Sequence, residues 1–294
     1  MKLILFILLL LFSKAGKSQS SYSGLLGKYP ITLVLYHYSD RVSLAYYTYD
    51  KYDSPITING SLKKGELNLF EKDMFGKNSA ILVFEDFEES NEESNEEIKG
   101  KWIKSDNSKT YQISLQKDFV INSGDDLEWE NKELLQSKST KKHYFKTIIT
   151  KEKGEFYARI SGVKIFEKRT DKLIQTIKLD CQLTGIDNIS IGDYNFDGIE
   201  DFSVFEASYA GSNTSSTYIL RNPNSNKYLK SNFGGTSLKF DNNSKLIYEH
   251  NQCCGGRSHM NATYKVVNNK MILIQKKCLE YDDEKEGFIE TECD

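Results

Sequence analysis

A rhythm of short alternating runs broken by turn residues constrains this chain most, together with only three prolines in 294 residues. Residues 31–38 (ITLVLYHY), 42–49 (VSLAYYTY), 56–61, 66–70, 80–87, 98–103 and 110–115 are rich in β-branched and aromatic side chains. Ser39-Asp40, Asn59-Gly60, Lys64-Gly65, Gly76-Lys77-Asn78 and Asp106-Asn107-Ser108 supply the turns between them. Runs of this length are too short for stable helices, and their spacing predicts an antiparallel meander closed as a barrel or a sandwich. Gly100-Lys101-Trp102 is the kind of element a small barrel uses to bend its backbone beside a large core residue. The second half shows the same texture at 144–150, 156–160, 164–167, 173–179, 217–220 and 263–275. The expected fold is all-β: an N-terminal antiparallel barrel or sandwich over 19–117, then a C-terminal antiparallel β domain over 145–294. The polar stretch 118–144 is expected to link them, with one short helix around 126–135.

Asp193-Tyr194-Asn195-Phe196-Asp197-Gly198-Ile199-Glu200-Asp201 places oxygen-bearing side chains at alternate positions, with a glycine for the sharp turn. Calcium takes six to eight oxygens, and Asp193, Asn195, Asp197, the Ile199 carbonyl and Asp201 are the expected ligands. A twelfth-position carboxylate is missing, because Val204 stands there, and apolar β-type flanks replace the helices of an EF-hand. The expectation is a calcium-binding hairpin loop; an acidic hairpin turn without metal is the alternative.

Composition narrows the remaining classes. Met1-Lys2 followed by the apolar run 3–12 reads as a signal peptide over residues 1–18, too short to span a bilayer. No later segment approaches a membrane span, so a periplasmic or extracellular protein is expected. A net charge of −3 argues against a nucleic-acid partner, which needs a basic face. Cys181, Cys253, Cys254, Cys278 and Cys293 all lie in the second half and are disulfide candidates in an oxidising compartment. Consecutive Cα atoms lie about 3.8 Å apart, closer than disulfides prefer, so Cys253 and Cys254 are each expected to bond elsewhere. The E-E-S-N repeats within 85–97 read as a solvated hairpin extension or as an acidic lure for a basic protein. Among enzyme motifs, G-x-S-x-G, H-E-x-x-H, the P-loop and G-x-G-x-x-G are all missing. His37 is expected as a barrel-surface or a satisfied core residue and His143 as part of the linker, so no catalytic residue and no enzyme activity are predicted.

After the acidic loop the order is a strand, then Tyr209-Ala210-Gly211-Ser212-Asn213, then a strand over 217–220. The turn 222–226, the segment Cys253-Cys254-Gly255-Gly256-Arg257-Ser258-His259 and the hairpin 263–275 follow. Over residues 145–282 this order resembles the periplasmic inhibitors of i-type lysozyme and the related immunity proteins that neutralise peptidoglycan-degrading toxins. The acidic loop is also similar to the FG-GAP repeats of integrin-type propellers. The resemblance implies a protein that plugs the cleft of a lysozyme-like peptidoglycan hydrolase. It makes Tyr209, Gly211, Ser212, Asn213, Arg257, Ser258 and His259 the expected inhibitory loops, with calcium bracing the strand that carries Tyr209. The competing reading is a calcium-stabilised module for glycan or cell surface, with recognition in the N-terminal β domain.

Overall fold

The computed structural model describes residues 18–293 apart from 39, 51–53, 89–94 and 210. The expected signal peptide thus falls outside the described residues save for Ser18, which opens the first strand. The chain forms two compact units that divide after Asn122.

The first unit is a closed antiparallel barrel. Its strands are β1 (Ser18–Leu26), β2 (Tyr29–His37), β3 (Val42–Tyr49), β4 (Ile56–Lys63), β5 (Glu66–Lys72), β6 (Asn78–Phe84), β7 (Glu97–Lys104) and β8 (Thr110–Val120), each pairing with the next. Pairing of β1 with β8 closes it. Alternate residues point inward, so Leu33, Leu35, Ala45, Tyr47, Ile58, Leu67, Leu69, Leu82, Phe84 and Leu115 share one core. Asn59-Gly60, expected as a turn, lies inside β4. A Cβ on Gly60 would stand 1.7 Å from the Asn68 carbonyl oxygen of β5, and one on Gly100 would stand 2.2 Å from the Val83 carbonyl oxygen. At these two points the strands approach too closely for any side chain, which is how so small a barrel closes. His37 is buried with Nδ1 2.8 Å from Ser43 Oγ, the core rather than the surface alternative.

One end of the barrel departs from an apolar filling. Glu71 follows Leu67 and Leu69 on the inward face of β5. Its Oε2 accepts from Tyr47 Oη at 2.8 Å and Trp102 Nε1 at 3.2 Å, and Ser79 Oγ donates to its Oε1 at 3.3 Å. Tyr49, Trp102 and Tyr111 pack there half-buried. Burial, reinforced by the Glu71 charge, raises the Tyr47 phenol far above its ordinary value.

The second unit holds three antiparallel sheets. β9 (Trp129–Leu135), β10 (His143–Lys151), β11 (Arg159–Glu167) and β12 (Lys172–Gln182) form the first, in the order β12-β11-β10-β9. The second holds β13 (Ile189–Gly192), β14 (Asp201–Ser208), β15 (Thr214–Arg221) and β16 (Tyr228–Lys230), in sequence order. The third holds β17 (Lys239–Asp241), β18 (Leu246–Cys253), β19 (Ser258–Val267), β20 (Lys270–Asp282) and β21 (Gly287–Thr291), with a 3-10 turn over Cys254–Gly256 between β18 and β19. The stretch 118–144 is therefore neither helical nor a simple linker, because β9 is an edge strand of the first sheet. His143 is fully buried rather than in a linker, with Nδ1 2.8 Å from Tyr228 Oη. Burial, helped by the Arg221 charge, lowers its pKa to about 4, so it stays neutral near pH 7.

Phe145 of β10 packs against Phe202 of β14 at 4.6 Å between ring centres, and Phe202 against Tyr228 at 5.3 Å. Two glutamines complete the join between the first two sheets. The Gln175 amide of β12 donates to the Tyr228 carbonyl and accepts from its N–H, both at 2.9 Å. Gln182 Oε1 accepts from the Ser208 N–H at 3.1 Å. Tyr194, Tyr218, Leu220, Phe233 and Ile247 form a further core between the second and third sheets.

Candidate functional site

The two loops expected to act together are fastened to each other. The β14–β15 hairpin closes through a hydrogen bond from the Tyr209 N–H to the Asn213 carbonyl, 2.9 Å, with Gly211 at φ 75°. Asn213 then turns inward and is only 7% exposed. Its Nδ2 donates to the Gln252 carbonyl at 2.7 Å and to Asn251 Oδ1 at 2.9 Å, while the Gln252 N–H donates to Asn213 Oδ1 at 3.1 Å. Gln252 Nε2 also donates to Ser212 Oγ at 2.8 Å. Asn251 and Gln252 are the last residues of β18 before the two cysteines, so the second loop starts where the first is anchored.

The side chains expected to plug a cleft divide into two groups. Tyr209 is 54% exposed, with its hydroxyl 3.2 Å from Ser215 Oγ; Gly211, Ser212 and Arg257 are also exposed. The Arg257 guanidinium is already engaged, by an ion pair with Asp283 and by stacking over the Tyr281 ring, 4.9 Å from its centre. Ser258 and His259 are half-buried strand residues of β19. The His259 Nε2–H donates to the Gly256 carbonyl at 3.0 Å, and its ring packs on His250 and Phe288. Asn213 and His259 therefore hold the loops through these internal contacts.

In the acidic loop the side-chain oxygens accept the loop's own amides. Asp193 Oδ1 and Oδ2 take the N–H groups of Asp197 (3.0 Å) and Gly198 (2.8 Å), and Asp197 Oδ1 takes that of Ile199 (2.9 Å). Asn195 Nδ2 donates to Asp197 Oδ2 at 3.0 Å and to Asn269 Oδ1 at 2.9 Å. Asp201 is fully buried; its Oδ2 accepts from the Tyr194 N–H at 3.0 Å and its Oδ1 from the Arg221 N–H at 2.7 Å, tying the loop to β15. Burial raises its pKa to about 6, with the Asp197 and Asp193 charges adding to the effect and those two amides opposing it. Among the described residues no three acidic, histidine or cysteine groups converge as metal ligands. The donor chemistry nonetheless fits calcium: hard oxygens whose ionised carboxylates keep lone pairs beyond those spent on amides.

One bridge joins Cys278 of β20 to Cys293, with Cα atoms 5.3 Å apart. Cys181, Cys253 and Cys254 carry free thiols, which corrects the expectation that the adjacent pair bonds to Cys181, Cys278 or Cys293. Sequence reasoning did not find Glu71 at the barrel end, nor Asn251 and Gln252 under the hairpin. The first had a signal: a carboxylate in step with two inward leucines. Comparison with protein-family profiles finds no match to this chain, and comparison with curated proteins finds none either.

Proposed function

We propose that the second unit is an exported protein inhibitor, or immunity protein, whose paired loops enter the active-site cleft of a lysozyme-like peptidoglycan hydrolase. The observation that carries this reading is the fastening of the Tyr209-bearing hairpin to the end of β18 through Asn213 and Ser212. A plug must lose little freedom when it binds, and a hairpin held by four side-chain hydrogen bonds has already lost it. Tyrosine suits the tip, because it offers a large ring and a hydroxyl at low rotamer cost. Glycan hydrolases present paired carboxylates in a cleft, which a phenol hydroxyl can reach as a donor. Arg257 shapes the second loop, since Asp283 and Tyr281 already hold it. Calcium at Asp193, Asn195, Asp197, Ile199 and Asp201 supplies charge balance to the acidic loop when bound and does no chemistry. The Cys278–Cys293 bridge accords with an oxidising compartment.

The test is loss of turbidity of cell-wall suspensions with a panel of lysozymes, using the full chain. Inhibition should weaken by roughly thirtyfold in Tyr209→Ala, the cost of a central aromatic anchor, and by less in Arg257→Ala. Absence of inhibition across the panel, or inhibition unchanged in Tyr209→Ala, refutes the reading.

The second reading is a glycan- or cell-surface-binding module, and the barrel end favours it. Tyr29 at 43% exposure, with half-buried Tyr49, Trp102 and Tyr111 around Glu71, offers ring faces and a carboxylate of the kind that stack on and hydrogen-bond sugars. Glycan-array binding lost in Trp102→Ala, with no hydrolase inhibited, decides for it.

A further inference from the structure

We propose that Cys253 and Cys254 form a vicinal disulfide, opened and closed by thiol–disulfide exchange with small-molecule or protein disulfides. Their Sγ atoms stand 2.7 Å apart. Non-bonded carbon atoms rest at about 3.5–4.0 Å, and sulfur is larger than carbon, so this separation lies between contact and a bond of about 2.05 Å. The backbone accounts for it. Along a strand consecutive side chains point to opposite faces. Here Cys253 is extended (φ −137°, ψ −176°), whereas Cys254 is left-handed at φ 57°, and Gly255 and Gly256 continue left-handed at 67° and 84°. The turn cancels the alternation and leaves both sulfurs on one side. A non-glycine residue at positive φ carries a conformational cost that its surroundings must offset. The Arg257 N–H, donating to the Cys254 carbonyl at 3.3 Å, helps hold this one. Both thiols are exposed and open to a soluble disulfide, whereas Cys181 is buried.

The exchange balances as follows. One cysteine thiolate attacks a sulfur of the disulfide RSSR, forming a mixed disulfide and releasing RS⁻, which takes up the proton that cysteine lost. The second cysteine then attacks the mixed disulfide at the first cysteine's sulfur, closing the ring and expelling a second RS⁻, which takes up the second proton. Two protein thiols are oxidised and one RSSR is reduced to two RSH. The Cys254 thiol is held above its ordinary pKa, chiefly by its hydrogen bond with the Cys253 sulfur beside it. The ring must bridge Cα atoms about 3.8 Å apart, below the range disulfides favour, whereas Cys278–Cys293 bridges 5.3 Å, inside it. Strained, exposed bridges are the easily reduced ones. Two bridges of unlike lability therefore share one sheet, and the labile one sits directly after the two residues that anchor the Tyr209 hairpin. This inference stands without the inhibitor reading.

The experiment uses the full chain incubated with oxidised glutathione, denatured, alkylated without reduction, digested and analysed by mass spectrometry. The peptide carrying residues 253–254 should be two hydrogen atoms lighter than its dithiol form and free of alkyl or glutathione, with Cys181 alone alkylated. A graded series of dithiothreitol should then open this ring at a concentration at least about tenfold below that needed for Cys278–Cys293. Cys254→Ser should trap glutathione on Cys253 as a lasting mixed disulfide that the wild type resolves. Alkyl groups or glutathione on both wild-type cysteines, a bridge from either to Cys181 or to a second chain, or opening only together with Cys278–Cys293 would each overturn the proposal.

Discussion

Replacing Asn213 with alanine should loosen the paired loops more than any exposed substitution at their tips. The side chain makes three hydrogen bonds, two to the backbone of Gln252 and one to Asn251 Oδ1, from a position only 7% exposed. Alanine leaves the Gln252 N–H and carbonyl without partners. An orphaned buried polar group costs about 1–3 kcal/mol, and Gln252 is half-exposed, so water recovers part of the loss. The net cost should be about 2–4 kcal/mol in the unfolding of the second unit. With a urea m-value of about 2 kcal/mol per molar, its midpoint falls by about 1–2 M. Asn213→Asp should be no milder, because its carboxylate would face the Gln252 carbonyl and Asn251 Oδ1, both acceptors. Ser212→Ala, which removes one exposed bond from Gln252, should cost under about 1 kcal/mol. Urea unfolding followed in the second unit gives the energies, and amide exchange at Gln252 gives the local effect. An Asn213→Ala midpoint within about 0.3 M of wild type, with Gln252 still protected, would refute the claim that this side chain holds the loops together.

Gly60→Ala should open the barrel between β4 and β5, since its Cβ would stand 1.7 Å from the Asn68 carbonyl oxygen; a loss of at least about 3 kcal/mol in the first unit is expected by calorimetry, and a smaller shift contradicts the close approach. The folded-state pKa of Asp201 lies at about 6 against an ordinary 3.8, so the folded state binds the extra proton and stability falls as pH rises from about 4 to 6. The full shift corresponds to about 3 kcal/mol, an upper bound; urea midpoints of wild type and Asp201→Asn should diverge through that window, and parallel curves would deny it. A few millimolar calcium should stabilise the second unit by about 1–2 kcal/mol and do nothing for Asp197→Ala. Equal melting with calcium and with chelator in the wild type would remove the metal from the account.

Strand periodicity made most of the fold readable, because inward and outward residues of a barrel differ so plainly. The runs at 42–49 and 66–70 became β3 and most of β5, and the hairpin at 263–275 became part of β19 and β20. β1 was hidden because Ser18, Ser20, Ser21 and Ser23 dilute its pattern. β9 was hidden because a sheet edge tolerates the charges of Glu130, Lys132 and Glu133, which read as helix or linker. The 156–160 and 164–167 runs fall largely in one strand, β11, which continues through Gly162. Spacing could group the loop residues but not sort them. Asn213 looks like any polar loop residue until β18, nearly forty positions later, is folded beneath it. The adjacent cysteines misled because the geometric preference against bonding neighbours sent them to distant partners, whereas both thiols are free, beside a left-handed turn at Cys254 that leaves no mark in sequence apart from two glycines.

Gln175 and Gln182 have a consequence for the exposed margin of an open sheet. A closed barrel offers no unpaired backbone, but an open sheet ends in a row of amides and carbonyls that another chain can extend. β12, with 11 residues, is the longest such margin in its sheet. Gln175 meets the Tyr228 backbone with one donor and one acceptor, as a neighbouring strand would, and Gln182 meets that of Ser208. Two amide side chains thus dock this margin onto the next sheet without a continuous ladder. Losing them would leave the Tyr228 and Ser208 backbone groups without these partners and loosen the docking of the β12 margin, the step that would precede strand addition by another chain.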